Sequence, residues 1–169
     1  SKNGVGDLIK AMTDGVQEVS DTNLIIAGDG PLSESLRSKV QELNLDDNIS
    51  FVGQVSQDDL PHFLSRFDIF VRPSLSEGLG VSFLESMASG VPIIGTRIGG
   101  IPDFLKDGET GLFCKPGDPE DIADKIIKLL KNDELRNKLA DNGRRLVQEK
   151  YSWDLIASKF KDIYGYERI

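Results

Sequence analysis

An alternation along the chain constrains its fold more than any other feature. Short apolar runs recur at Leu24-Ile25-Ile26-Ala27, Ile49-Ser50-Phe51-Val52, Ile69-Phe70-Val71, Pro92-Ile93-Ile94-Gly95 and Gly111-Leu112-Phe113-Cys114. Between them, apolar residues repeat at helical spacing. Leu8, Ile9, Met12, Val16 and Val19 form one stripe, and Leu32, Leu36, Val40 and Leu43 another. Runs that are apolar on both faces must be covered on both faces, and parallel strands need long crossovers, usually helical. The pattern predicts an α/β domain: a Rossmann-like open parallel sheet with helices on both faces.

Local signals refine the element order. Gly28-Asp29-Gly30-Pro31 stops the first run, and Ser56, with Asp59 three residues on, reads as the N-cap of a helix through Leu60 and Leu64. A helix is expected from about Gly80 to Ser89. Asp118-Pro119-Glu120-Asp121 opens another, with Pro at the first helical position. Ile122, Ile126, Leu129 and Leu130 supply its stripe, and Leu135, Leu139 and Leu146 a further one. A last helix from about Ser152 is expected to turn Trp153, Ile156 and Phe160 inward. No repeat, low-complexity stretch or linker interrupts residues 1–169, so a single domain is expected.

The bulk properties narrow the function classes. A net charge of −8 argues against a nucleic-acid partner, and an anionic ligand would have to be held by local donors. The lone cysteine, Cys114, excludes an internal disulfide, fits a reducing, cytoplasmic compartment, and reads as a small core residue. With one histidine, a His-rich metal site is not expected. No apolar run approaches the roughly 20 residues of a membrane-spanning helix, and no signal peptide opens the sequence.

In an open α/β sheet, ligands sit beyond the carboxyl ends of the strands. The stretch Ser76-Glu77-Gly78-Leu79-Gly80-Val81-Ser82-Phe83-Leu84-Glu85 occupies such a place. Gly78 and Gly80 allow a tight turn and close approach of a ligand, because neither carries a Cβ. The free amides of Leu79, Gly80 and Val81 would then open a helix and cradle a diphosphate. Glu85 falls roughly 7 Å along the helix axis from those amides, at about 1.5 Å per residue, and could accept hydrogen bonds from a vicinal diol such as ribose. Glu77, on the other side of the turn, could reach a sugar ring. Hydroxyls at both ends and charge in the middle describe a nucleotide-diphosphate sugar. Solvated charges on an ordinary turn are the competing reading. Phe83, Leu84, Met87 and Ala88 weigh against it, since a mostly apolar helix is buried and a Glu there wants a partner.

The stretch from Glu77-Gly78-Leu79-Gly80 through Leu84-Glu85-Ser86-Met87-Ala88-Ser89-Gly90-Val91-Pro92 resembles the signature of family 4 glycosyltransferases, which have the GT-B fold. That signature sets two glutamates with seven residues between them, then a small-residue helix end, Gly and Pro. Gly28-Asp29-Gly30-Pro31, Phe51-Val52-Gly53, residues Phe67 to Ser74, Gly99-Gly100-Ile101-Pro102-Asp103 and Asp107 to Leu112 match further pieces in order. The resemblance covers nearly the whole chain and implies the C-terminal, donor-binding half of such an enzyme.

By that resemblance Glu77 hydrogen-bonds the transferred sugar, Glu85 the ribose, and the amides after Gly78 the diphosphate. Gly28 and Gly30 line the cleft floor, the backbone at Gln54 and Val55 meets the base, and Lys2 neutralises the leaving diphosphate. The resemblance also implies a UDP- or GDP-sugar donor, retaining transfer and no metal or other cofactor. The acceptor would be bound mainly by an N-terminal domain this chain lacks, and any membrane association would run through that domain. Two departures stand out: Asp103 replaces the usual Glu, and the upstream strand with its arginine is missing. A non-catalytic nucleotide-sugar module and half of a sugar-nucleotide epimerase are the alternatives.

Several residues receive quieter readings. His62 reads as a surface imidazole, and Ser74 and Ser76 as loop caps. Tyr151 with Trp153 reads as an anchor for the last helix, and Arg144-Arg145 as a favourable helix-end face. Arg72 stays open between a contact to donor or acceptor and a structural salt bridge.

Overall fold

The computed structural model describes residues 2–164. Its five strands are all parallel: β1 (Leu24–Ala27) pairs with β2 (Ile49–Gly53), and β3 (Phe70–Arg72) pairs with β4 (Ile93–Gly95), which pairs with β5 (Gly111–Phe113). Eight helices alternate with or follow the strands among the described residues: α1 (Val5–Glu18), α2 (Ser33–Glu42), α3 (Leu60–Leu64), α4 (Val81–Ala88), α5 (Ile101–Phe104), α6 (Pro119–Leu130), α7 (Asp133–Lys150) and α8 (Trp153–Tyr164). The sheet is present in two pieces, β1-β2 and β3-β4-β5. Leu24 of β1 and Val71 of β3 nonetheless pack against one shared apolar cluster.

The apolar runs form strands because both of their faces are covered. Ile93 and Ile94 of β4 are wholly buried. Ile93 packs with Phe83 and Met87 of α4 and with Ile101, Phe104 and Leu105. Ile94 packs on the other side with Leu8 and Ala11 of α1, Ile122, Ile126 and Leu129 of α6, and Leu139 of α7. A third cluster joins Ile9 and Met12 of α1 to Val40 of α2 and Ile49 of β2. Caps set the later helices: the Asp118 carboxylate accepts the Asp121 amide at 3.1 Å, and Asn132 Oδ1 accepts the Leu135 amide at 2.8 Å. Helix α7 lies close on α4 because Gly143 leaves room for Met87, and Arg144 reaches across to donate to the Ser89 carbonyl.

Three expectations change in detail. Helix α4 begins at Val81, because Gly80 adopts a left-handed conformation (φ 81°) as its N-cap. Ser56 Oγ does accept the Asp59 amide, at 3.1 Å, but regular helix starts only at Leu60. The inward face expected of the last helix is wrong for two of its three residues: Trp153 is 83% and Phe160 56% exposed, while Ile156 is half-buried. Helices α1, α4, α6 and α7 already cover the two faces of the three-stranded sheet, so α8 has no core face left to fill. Just before it, the Tyr151 ring meets Phe104 edge-on at 6.4 Å.

Cys114 is a core residue as expected. Its Sγ lies 3.5 Å from the Gly95 carbonyl, and burial, reinforced by the nearby Asp121 charge, pushes the thiol up to about 12. Ellman's reagent at pH 8 is therefore expected to leave the folded protein unmodified and to react fully once guanidinium unfolds it. Reaction of the native protein at the rate of a free thiol would contradict this placement. In urea titrations, Leu139→Ala should cost about 2–5 kcal/mol of stability. Loss of the cap in Asp118→Ala should cost about 0.5–2 kcal/mol.

Candidate functional site

The strand ends place the loops. Arg72, Gly95 and Phe113 lie side by side at the carboxyl ends of β3, β4 and β5. From there β3 runs into the turn 73–80 that feeds α4. A second set of carboxyl ends, Ala27 and Gly53, lies together on β1 and β2, where the Gly28 amide donates to the Gly53 carbonyl at 2.6 Å.

The turn is held from below by backbone. The Gly100 amide donates to the Gly78 carbonyl at 2.7 Å, and a Cβ on Gly99 (φ 57°) would overlap the Glu77 carbonyl oxygen. Thr96 Oγ1 donates to the Ser74 carbonyl at 2.7 Å, with both residues fully buried. Among the described residues, the amides of Leu79, Gly80 and Val81 donate to no backbone or side-chain acceptor. These three amides, open at the mouth of a helix, are the donors that the sequence reading assigned to a diphosphate. A Cβ on Gly78 would meet nothing within 4 Å, so the space above the turn is open.

Glu77, expected to reach a sugar ring, is held by neighbours on its own turn. Its carboxylate is only 13% exposed and folds back over its own turn. One oxygen accepts the Gly78 amide at 3.1 Å; the other pairs with Arg72 Nη2 at 3.1 Å and accepts from Ser74 Oγ at 3.4 Å. Arg72 thus finds its salt bridge inside the site. Its Nη1 donates to Ser82 Oγ at 2.9 Å and its Nη2 to Asn3 Oδ1 at 3.2 Å.

Glu85 stands in the middle of α4, half-buried, beside a cavity of 250 Å³. The cavity is otherwise lined by Gln57, Leu60, Pro61 and Leu64 from the segment after β2, and by Ala88 and Ser89. A carboxylate at the edge of an apolar slot of this size suits a flat, partly apolar ligand that carries hydroxyls.

Lys2 lies against the same turn, because its carbonyl accepts the Leu75 and Ser76 amides at 2.7 and 3.3 Å while its side chain stays exposed. Gly28 (φ 110°) and Gly30 have open space where a Cβ would be, at the carboxyl end of β1. The adjacent Asp29 accepts from Ser33 Oγ at 2.8 Å and from the Gly30 amide at 2.9 Å, and these bonds lower its pKa. Gln54 and Val55 follow the carboxyl end of β2 directly and lead into the segment that lines the cavity. The structure therefore joins the Lys2 backbone to Leu75 and Ser76, just before Glu77, and Glu85 to the segment after β2.

Two contributions escaped the sequence reading. One is the Gly99-Gly100 backbone that supports the turn, which only a close non-local approach could reveal. The other is the partner of Arg72: a salt bridge was one of its two readings, but Glu77, five residues on, was not named for it.

Parallel strands alternating with helices match the architecture of C-terminal GT-B domains. The family described as "Glycosyl transferases group 1" matches residues 1–146, and the chain belongs to it. The N-acetyl-alpha-D-glucosaminyl L-malate synthase of Bacillus anthracis is 38% identical over 160 residues, covering 95% of this chain and 41% of that protein. The C-terminal domain of the group 1 glycosyl transferase LpcC from Francisella tularensis superposes with a TM-score of 0.81 at 32% identity, over 90% of this chain and 81% of that one. A variant of TarM from S. aureus, solved with fondaparinux, alpha-GlcNAc-glycerol and UDP, reaches a TM-score of 0.89 at 26% identity; it covers 98% of this chain and 34% of its own. This chain thus spans less than half the length of the curated relative it matches.

Because Gly99 sits left-handed against the Glu77 carbonyl, Gly99→Ala should cost at least about 1–2 kcal/mol from backbone strain alone. The amide spectrum of that variant should change first at residues 77–80. Unchanged stability with an unchanged spectrum there would mean the turn is not held as described.

Proposed function

We propose that this chain is the donor-binding half of a retaining glycosyltransferase that uses a nucleotide-diphosphate sugar, such as a UDP- or GDP-hexose. One observation carries the reading. Three unpartnered amides open α4 between two half-buried carboxylates, and one of these, Glu85, lines a cavity of 250 Å³. Glu85 would accept the ribose hydroxyls, with the base entering the slot beside Gln54 and Val55. The amides of Leu79, Gly80 and Val81 would take the diphosphate over open Gly78, with Gly28 and Gly30 leaving room on the cleft floor. Glu77 would receive hydroxyls of the transferred sugar.

The chemistry follows from where charge develops. As the anomeric bond breaks, negative charge grows on the leaving diphosphate. Donors already aimed at it stabilise the transition state more than the ground state. The amides do this without reorganising, and Lys2 adds a full positive charge from the rim. In this reading protein cations and dipoles replace a divalent metal, so EDTA should leave nucleotide binding unchanged. A donor affinity that collapses in EDTA and returns with Mg²⁺ would contradict it.

The acceptor would be bound mainly by a further, N-terminal domain, and a strand between β1 and β3 would complete the sheet. The 169-residue chain alone is accordingly expected to bind nucleotide weakly and to turn over little. Robust sugar transfer by it would sink that expectation.

The ribose assignment has a sharper test. In calorimetric titrations, a nucleoside diphosphate should outbind its 2′-deoxy analogue, and Glu85→Ala should erase that preference at a cost of about tenfold or more for the ribonucleotide. A preference that survives Glu85→Ala would place the ribose elsewhere.

A further inference from the structure

Arg72 is the one side chain that ties together three separate pieces of this site. Its guanidinium reaches Asn3 in the segment before α1, Ser82 in the first turn of α4, and the carboxylate of Glu77 between them. It sits at the last residue of β3, a strand fixed against β4, so its Cα is anchored by the sheet. The guanidinium fork is planar and its donors are fixed relative to one another. Orienting that fork on Ser82 and Asn3 therefore fixes the oxygen of Glu77 that it meets.

Charge gives a second reason for this placement. Glu77 carries a negative charge one turn away from amides suited to an anion, in a chain whose net charge is −8. An unpaired carboxylate there would oppose the ligand. It would also be free to rotate outward, since both of its oxygens are otherwise held only by the Gly78 amide and the longer Ser74 contact. Pairing it with Arg72 removes most of that repulsion, and the bond to Gly78 aims the remaining lone pairs.

We propose that Arg72 is a positioning residue for Glu77: it locks the carboxylate in the orientation that recognises the sugar portion of the donor, without itself binding the donor. This rests on the donor-site reading above. Arg72 then governs how much the sugar adds to affinity, and leaves the affinity for the nucleoside diphosphate alone nearly unchanged.

The test uses the full chain and two readouts. Without ligand, the Gly78 amide resonance reports its bond to Glu77. It should shift in Arg72→Met toward its position in Glu77→Gln, whereas Arg72→Lys, which keeps a charge but not the fork, should shift it less. With ligand, calorimetry compares UDP and GDP with UDP-glucose, UDP-N-acetylglucosamine and GDP-mannose. Arg72→Met and Glu77→Gln should each remove about tenfold of the extra affinity contributed by the sugar. The double variant should lose no more than either alone, because the two residues act as one unit.

A Gly78 resonance unmoved by Arg72→Met would overturn the proposal while leaving the donor-site reading intact. Additive losses in the double variant, or an equal loss for diphosphate and sugar nucleotide, would overturn it as well, since Arg72 would then touch the donor itself or merely support the fold. Failure of the unaltered chain to bind any of the five nucleotides would instead count against the donor-site reading, with the Gly78 resonance still deciding what Arg72 does.

Discussion

The site depends on how completely β4 is enclosed. Its two isoleucines are wholly buried, it has a parallel neighbour on each edge, and apolar clusters press on both of its faces. A strand so constrained cannot slip in register without exposing its apolar side chains. Its carboxyl end is therefore a fixed point, and Arg72, one strand away, shares that rigidity. Loops at such strand ends can stay irregular and open because the scaffold beneath them does not move. Thr96, just beyond β4, passes the constraint on by bonding to the Ser74 carbonyl under the glycine turn.

A second theme is the handling of negative charge. An acidic chain that is to hold a diphosphate cannot rely on its overall field. In the proposed site that task falls to neutral donors, three backbone amides at a helix start, with one exposed lysine nearby. The acidic members of the site are kept apart from that cradle in different ways. Glu85 is displaced along α4 to the edge of the apolar slot, while Glu77 is turned back and paired with Arg72. Amides suit this task because they carry no charge whose desolvation must be offset when the site is empty.

Much of this was legible in the sequence. The parallel strands appear as doubly apolar runs, and the helices as stripes at helical spacing. The cap at Asp118 and the glycine turn could be read from local chemistry alone. What could not be read were contacts made by chain segments distant in sequence. Arg72 meets Asn3 only because the segment before α1 crosses the turn. Gly99 supports Glu77 only because the loop after β4 returns beneath it. Trp153 misled for a related reason: its helical spacing announces an apolar face but does not say whether the fold has a vacant place for it. For Glu77 the position after the strand was legible and the pairing with Arg72 was not, because the pair depends on side-chain geometry that spacing does not specify.

The proposed site puts a sugar nucleotide's diphosphate at the helix mouth, Leu79 to Val81. An amide-resolved NMR titration with UDP-glucose and GDP-mannose tests this most directly. For whichever nucleotide binds, the resonances of Leu79, Gly80 and Val81 should move most, accompanied by Gly28, Val55 and Glu85. Perturbations centred instead on the opening around Arg37, Gln41 and Phe51, with the turn unmoved, would contradict it.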